Sequence, residues 1–164
     1  MTDDQGRKTR AIVLVLGQES MKIRPATVTD HRVIKRIVKQ AQINPTDLDW
    51  RRFVVAEEED NILGVGQIKS HRDGSRELAS IAVIPERQHQ GIGGEIIQTL
   101  LNKDEGHLYL MCREELEPYY KRFGFQRQSP KDSTPYFRRM HRIVNAFLSQ
   151  KLGVEIIIMK RDSS

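Results

Sequence analysis

Gly91-Ile92-Gly93-Gly94 is the part of this chain whose residue types and spacing best suit binding chemistry. A glycine-rich turn that opens a helix presents backbone N–H groups with no intrahelical partner, and the helix dipole adds partial positive charge. An oxygen-rich anion is attracted there without any charged side chain. Glycine also lets a phosphate come close to the backbone. Two elements must position the turn. Upstream, Leu78 to Ile84 is almost entirely apolar or small, with Ile81, Val83 and Ile84 β-branched, which predicts a strand buried on both faces and ended by Pro85. Downstream, Ile92, Ile96, Ile97, Leu100 and Leu101 recur at helical spacing, with Glu95, Gln98 and Asn102 on the other side of the wheel. Taken alone, the glycines equally suit a tight turn packed against a neighbour.

Two common nucleotide-binding patterns are disfavoured. A dinucleotide fold wants Gly-x-Gly-x-x-Gly, and the third glycine position counted from Gly91 is Ile96; a triphosphate loop wants Gly-Lys-Ser/Thr, and Gly94 is followed by Glu95. Gln88-His89-Gln90-Gly91-Ile92-Gly93 instead resembles the acetyl-CoA signature of the GNAT superfamily of N-acetyltransferases, Gln/Arg-x-x-Gly-x-Gly/Ala, and Val83-Ile84-Pro85-Glu86 looks like its usual lead-in. Downstream, Tyr119-Tyr120-Lys121-Arg122-Phe123-Gly124-Phe125 resembles the family's Phe-Tyr-x-x-x-Gly-Phe segment. The resemblance covers Met21 to Phe125 well and the C-terminal part less well. It implies a mixed α/β fold with a central, mostly antiparallel twisted sheet, flanked by helices and splayed at the acetyl-CoA site. The implied reaction moves an acetyl group from acetyl-CoA, a co-substrate, to a primary amine by direct transfer in a ternary complex. An alternative from another class is a catalytically silent acyl-CoA-binding or regulatory module.

The resemblance also implies residue roles. Attack of an amine on a thioester needs a base, because most alkyl amines are protonated at neutral pH, and the departing thiolate benefits from an acid. Glu77 stands at the offset from Gln88 where some family members place the base, and Tyr120 matches the tyrosine that often serves as acid to the CoA sulfur. Pantetheine would lie like an extra strand against Ile81, Ala82 and Val83, with a backbone N–H near Val83 as an oxyanion donor, while Gln88, His89, Gln90, Gly91, Ile92, Gly93 and Gly94 would cradle the pyrophosphate. Arg113 stands where many relatives carry an asparagine, so that CoA contact does not carry over. Cys112 reads as a structural thiol, since direct transfer needs no acyl-enzyme and no histidine adjoins it in sequence. Asp49, Trp50 and Asp73 are candidates for an acceptor pocket, with carboxylates to attract a cationic amine and an indole to cover it.

Composition narrows the remaining classes. A chain of 164 residues suits one domain. No apolar run reaches the ~18 residues of a membrane span, so no membrane partner is expected. The net charge of +5 suits an anionic ligand. Nucleic acid is disfavoured: the best basic-aromatic stretch, Lys131 to Arg142, is more simply a solvated helix face. The five histidines show no metal-ligand spacing with cysteine or carboxylate, so no metal is expected. The single cysteine excludes an internal disulfide and fits a reducing compartment, the cytoplasm by default. A homodimer is left open.

The expected organisation is an N-terminal extension over residues 1–20, with Ala11 to Leu16 as an extra strand or ordered arm, followed by a single domain over 21–164. Within the domain, a capping box at Thr27 and Asp30 opens a helix with Ile34, Ile37, Val38 and Ala41 inward. Strands are expected at Ile23 to Arg24, Phe53 to Ala56, Ile62 to Ile68, Leu108 to Met111 and Val154 to Met159, with a short helix from Glu117 to Arg122 closed by Gly124. A helix near residues 135–152, carrying Met140, Ile143, Val144, Phe147 and Leu148 at helical spacing, departs from the family's usual hairpin loop. It puts the acceptor-site geometry in question.

Overall fold

The structure is a computed structural model, and it describes residues 20–163; the strand expected at Ala11 to Leu16 lies outside them. Seven strands, β1 (Lys22–Pro25), β2 (Phe53–Glu58), β3 (Asn61–Ser70), β4 (Arg76–Val83), β5 (Leu108–Arg113), β6 (Gln126–Gln128) and β7 (Ile156–Arg161), form one sheet. Its order is β1-β2-β3-β4-β5-β7-β6, and every neighbouring pair is antiparallel except β4 with β5. The first four strands form a meander, as their turn chemistry predicts. β6, three polar residues long, has no apolar periodicity to announce it.

The helices are α1 (His31–Gln40), α2 (Ile92–Asn102), α3 (Glu117–Lys121) and α4 (Pro135–Leu152). α2 lays Ile92, Ile96, Ile97, Leu100 and Leu101 on one face of the sheet, against Leu78, Leu110, Phe125 and Met159. The approach is close: a Cβ at Gly66 of β3 would stand 2.6 Å from both Ile81 Cδ1 and Ile96 Cγ2. The opposite face is covered in two parts. α1 packs Ile34, Ile37 and Val38 on Val55, Val65 and Ala82. α4 packs Phe137 on Tyr109 and Ile158, so the β5–β7 half of that face carries the inserted helix.

β4 departs from its expected burial. Only Leu78 and Ala82 are fully buried and the other residues are half-buried, because β4 and β5 part company. Their ladder has a single registered pair, Glu77 with Tyr109, after which β5 pairs only with β7. Ser80 takes the left-handed conformation at φ 57°, and the β3–β4 register shifts there. Such a bulge adds one residue and bends the strand. The result is a sheet split from Glu77 outward along Ile81 to Val83.

Candidate active site

At the outer end of the split, β4 runs through Pro85–Arg87, a 3-10 turn, into α2. Ile84 gives its N–H to Leu63 O at 2.8 Å, so by strand alternation the N–H and C=O of Val83 face the edge that β5 has left. The Gln88 side chain donates to that carbonyl at 3.1 Å. Gly91 is the N-cap of α2 at φ 84°, a conformation glycine adopts without penalty. The first helical hydrogen bond of α2 runs from Glu95 N to Gly91 O at 3.1 Å, which leaves the N–H groups of Ile92, Gly93 and Gly94 without an intrahelical acceptor. Gln88, His89 and Gln90 are exposed on the turn, and His89 is left-handed at φ 61°. The turn is tied down by Arg87, which bonds Gln90 Oε1 at 2.9 Å and Glu58 Oε2 at 2.5 Å.

Tyr119 and Tyr120 reach this end from α3. Their rings meet edge to face with centroids 5.1 Å apart. A Cβ at Gly93 would lie 3.4 Å from the Tyr119 hydroxyl, which therefore borders the glycine turn, and the Arg122 guanidinium lies 5.2 Å from the Tyr119 ring centroid. Tyr120 is set deeper, with Phe125 beside it. Burial, then the neighbouring Cys112 and Tyr119, push its phenol well above the usual range, so it holds its proton at neutral pH. Cys112 is itself buried, and burial pushes its thiol up to about 12, the opposite of an activated nucleophile.

At the inner end, Glu77 is the last residue before the split. Its Oε2 accepts a hydrogen bond from His71 Nε2 at 2.8 Å, with the two side chains only 16% and 9% exposed. The His71 ring stacks on Tyr136 of α4, with centroids 3.5 Å apart and planes at 15°, and meets Phe137 edge-on at 5.7 Å. Lys69 is the cross-strand partner of Glu77. It is buried, donates to Thr46 O at 3.1 Å, and is pulled below the usual lysine range by burial, against the opposing pull of Glu77 and Asp47. Asp47 pairs with Arg52 at 2.6 Å. Gln67, fully buried, donates to Ser80 Oγ at 2.9 Å and leaves its Oε1 unpartnered.

The expected acceptor-pocket trio is otherwise engaged. Asp73 Oδ2 accepts from Tyr136 N at 2.8 Å, capping α4 from the β3–β4 turn, while its Oδ1 accepts from Ser75 N and Oγ. Burial pushes its carboxyl up, but the bonds from Ser75 and Tyr136 outweigh that and hold it well below the usual carboxylate range. Asp49 caps the turn at Trp50–Arg52 by accepting from Arg51 N at 3.1 Å. Trp50 packs against the α1 core. Three residues that the sequence alone did not single out, His71, Tyr136 and Tyr119, border the split. Only Tyr119, inside a recognisable motif, carried any signal.

Residues 49–127, which include both ends of the split, match the family model described as an acetyltransferase (GNAT) domain. Solved structures agree with the fold. N-acetylglutamate synthase of Neisseria gonorrhoeae, complexed with coenzyme A and N-acetyl-glutamate, superposes with a TM-score of 0.70 at 18% identity over 88% of this chain. This chain spans about a third of that enzyme, 35% of its length. Rv2747 of Mycobacterium tuberculosis, in complex with CoA, gives 0.65 at 22% identity over 87% of this chain and 99% of its own. The ribosomal-protein-S18-alanine N-acetyltransferase of Escherichia coli gives 0.63 at 19% identity over 88% and 95%. A search of curated proteins finds no significant match. Residues 49–127, just under half of the chain, are thus similar to the GNAT acetyltransferase domain, and two of the structures that share the fold hold coenzyme A.

Proposed function

We propose that this protein is an N-acetyltransferase that moves an acetyl group from acetyl-CoA to a primary amine in one ternary complex. The observation that carries this reading is the sheet split: a polar carboxylate, Glu77, at its apex, and a glycine-rich helix N-terminus at its mouth. Pantetheine runs along the free edge of Ile81, Ala82 and Val83, and the pyrophosphate sits on the N–H groups from Gly91 to Gly94, with Gln88, His89 and Gln90 around it. No residue among those described needs to form a covalent intermediate.

In the reaction, the amine nitrogen attacks the thioester carbonyl carbon, a C–N bond forms and the C–S bond breaks. Glu77 takes the proton that the amine loses, a backbone N–H on the free edge of Ile81 to Val83 donates to the developing oxyanion, and Tyr120 gives its proton to the departing CoA sulfur. The products are an N-acetyl amide and free CoA. The Tyr120 phenol is protonated at neutral pH and, with its pKa raised by burial, gives at first a hydrogen bond that becomes proton transfer as charge develops on the sulfur. Among the described residues no helix is long and apolar enough to cross a membrane, and the lone, buried thiol of Cys112 suits a reducing compartment such as the cytoplasm.

Calorimetric titration with acetyl-CoA, on the parent and on Gly93→Glu, tests the reading. The substitution puts bulk and negative charge into the cradle, and its own Cβ already meets the Tyr119 hydroxyl. The affinity should fall by at least about 100-fold, or ~2.7 kcal/mol, with the fold retained. An amine panel beginning with α-amino acids and protein N-termini, the chemistries of two neighbours named above, then reads release of free CoA thiol. A folded parent that binds no acetyl-CoA overturns the proposal; one that binds it but acetylates nothing is a silent acyl-CoA-binding module.

A further inference from the structure

We infer that the inserted helix α4 is a wall of the acceptor site, and that His71, clamped by Tyr136, is the positioning residue that gives the Glu77 carboxylate a single orientation. The inference rests on the proposed role of Glu77 as base.

A glutamate side chain free to rotate is a poor base, because productive proton transfer needs a defined geometry and displacement of about 1 Å can cost roughly 100-fold in rate. Glu77 is not free. An ionised carboxylate only accepts hydrogen bonds, so the 2.8 Å contact makes His71 Nε2 the donor to Oε2 and leaves Oε1 as the oxygen for the acceptor amine. The imidazole is fixed in turn by Tyr136, face to face at 3.5 Å, and by the edge of Phe137 at 5.7 Å. Phe137 is fully buried and stacks on Tyr109 at 4.8 Å, and Tyr109 is the registered partner of Glu77 across the sheet. The chain of contacts closes on itself: Glu77, His71, Tyr136 and Phe137, Tyr109, and back to Glu77.

The start of α4 is held to the turn that supplies His71. Asp73, two residues after His71, accepts the Tyr136 N–H at 2.8 Å, so the β3–β4 turn and the first turn of α4 move together. The groups facing the His71–Glu77 pair are Lys69 from β3, Asp47 and Arg52 from the segment before β2, Asp73 from the turn and the Tyr136 phenol from α4. Burial pushes that phenol up to about 12, helped by the charges of Glu77 and Asp47. It therefore stays neutral at physiological pH.

The test combines turnover with a measurement that needs none. In protein labelled with 13C at glutamate carboxyls, the Glu77 signal, assigned with Glu77→Gln, should show a second step where the His71 imidazole ionises, and this step should vanish in His71→Ala. His71→Ala should also lower kcat roughly 10- to 100-fold at unchanged acetyl-CoA affinity. It should move the acidic limb of the kcat profile to higher pH, because a carboxylate that loses a donor binds its proton more tightly. His71→Gln, whose amide can donate at the position of Nε2, should restore part of the rate, and Tyr136→Phe should lose less than Tyr136→Ala. Absence of the coupled step in the parent overturns the clamp, as does a folded His71→Ala with parental kcat and pH profile. A parent that shows the coupled step but acetylates no amine upholds the clamp and overturns the proposed reaction instead.

Discussion

The two ends of β4 are built by different means. At the Val83 end, binding capacity comes from backbone: an edge that β5 has left, and N–H groups at the start of α2 that no carbonyl inside the helix can accept. Everything needed lies within about a dozen consecutive residues. At the Glu77 end, capacity comes from side chains gathered across the chain, with Lys69 from β3, His71 from the turn after it, Tyr109 from β5 and Tyr136 and Phe137 from α4. A backbone site tolerates many side chains and binds what all acyl-CoA donors share. A side-chain site is particular to one chain, and it is the end where an acceptor must be chosen. The insertion of α4 alters only the second.

The sharpest test of this division is Glu77→Gln, which keeps the size of the side chain and removes the proposed base. The turnover number should fall by roughly 100- to 10,000-fold, while calorimetry finds acetyl-CoA affinity within about twofold of the parent. Equal losses in both would mean that the two ends are one site. Next in size is Gly66→Val, aimed at what the ends share. Its side chain must displace Ile81 and Ile96, whose tips would stand 2.6 Å from the new Cβ, so chemical denaturation should show a loss of about 1–3 kcal/mol. The smallest effect belongs to Asp73→Ala, which removes the cap on α4 and should lower stability by about 1 kcal/mol, with a smaller loss of kcat than His71→Ala and none in acetyl-CoA affinity.

The same variant has a defined pH dependence. The folded-state pKa of Asp73 is depressed, so its contribution is fully present above the unfolded value, about 3.9, and is lost as pH falls through the folded value below that. Denaturation curves of parent and Asp73→Ala should differ at pH 7 and converge in strong acid. A difference that persists unchanged at pH 2 would assign the cap to some other group.

Legibility in the sequence follows the same division. The cradle was readable because its determinants are local: β-branched residues, a proline stop, glycines, then helical spacing. Glu77 stands out as a candidate base through its offset from Gln88, and α4 is legible through its apolar period, its limits matching the expected 135–152. The pairing of His71 with Tyr136 was not legible, since 65 positions separate them and neither stands in a pattern that points to the other. Asp73 illustrates the reverse error. A carboxylate beside a glycine turn looks available to a ligand, but the fold brings it a backbone N–H from α4 that no local reading contains. β4 looked like a two-sided core strand because its apolar side chains serve a hydrophobic groove as well as a core.

The position of β7 ties these two ends to an order of assembly. β1 to β4 and α2 are contiguous through residue 102, and β1 to β4 pair in the order in which they follow one another, with α1 between β1 and β2, so that half closes on contacts within its own stretch of sequence. β5 meets β4 at one registered position, and β6 has no neighbour but β7. Both take their main partner from residues 156–161, which follow them in sequence and insert between them. The half around β1 to β4 can thus take shape while the other half is still an open edge, sealed only when a strand that follows both of its neighbours in sequence is added between them.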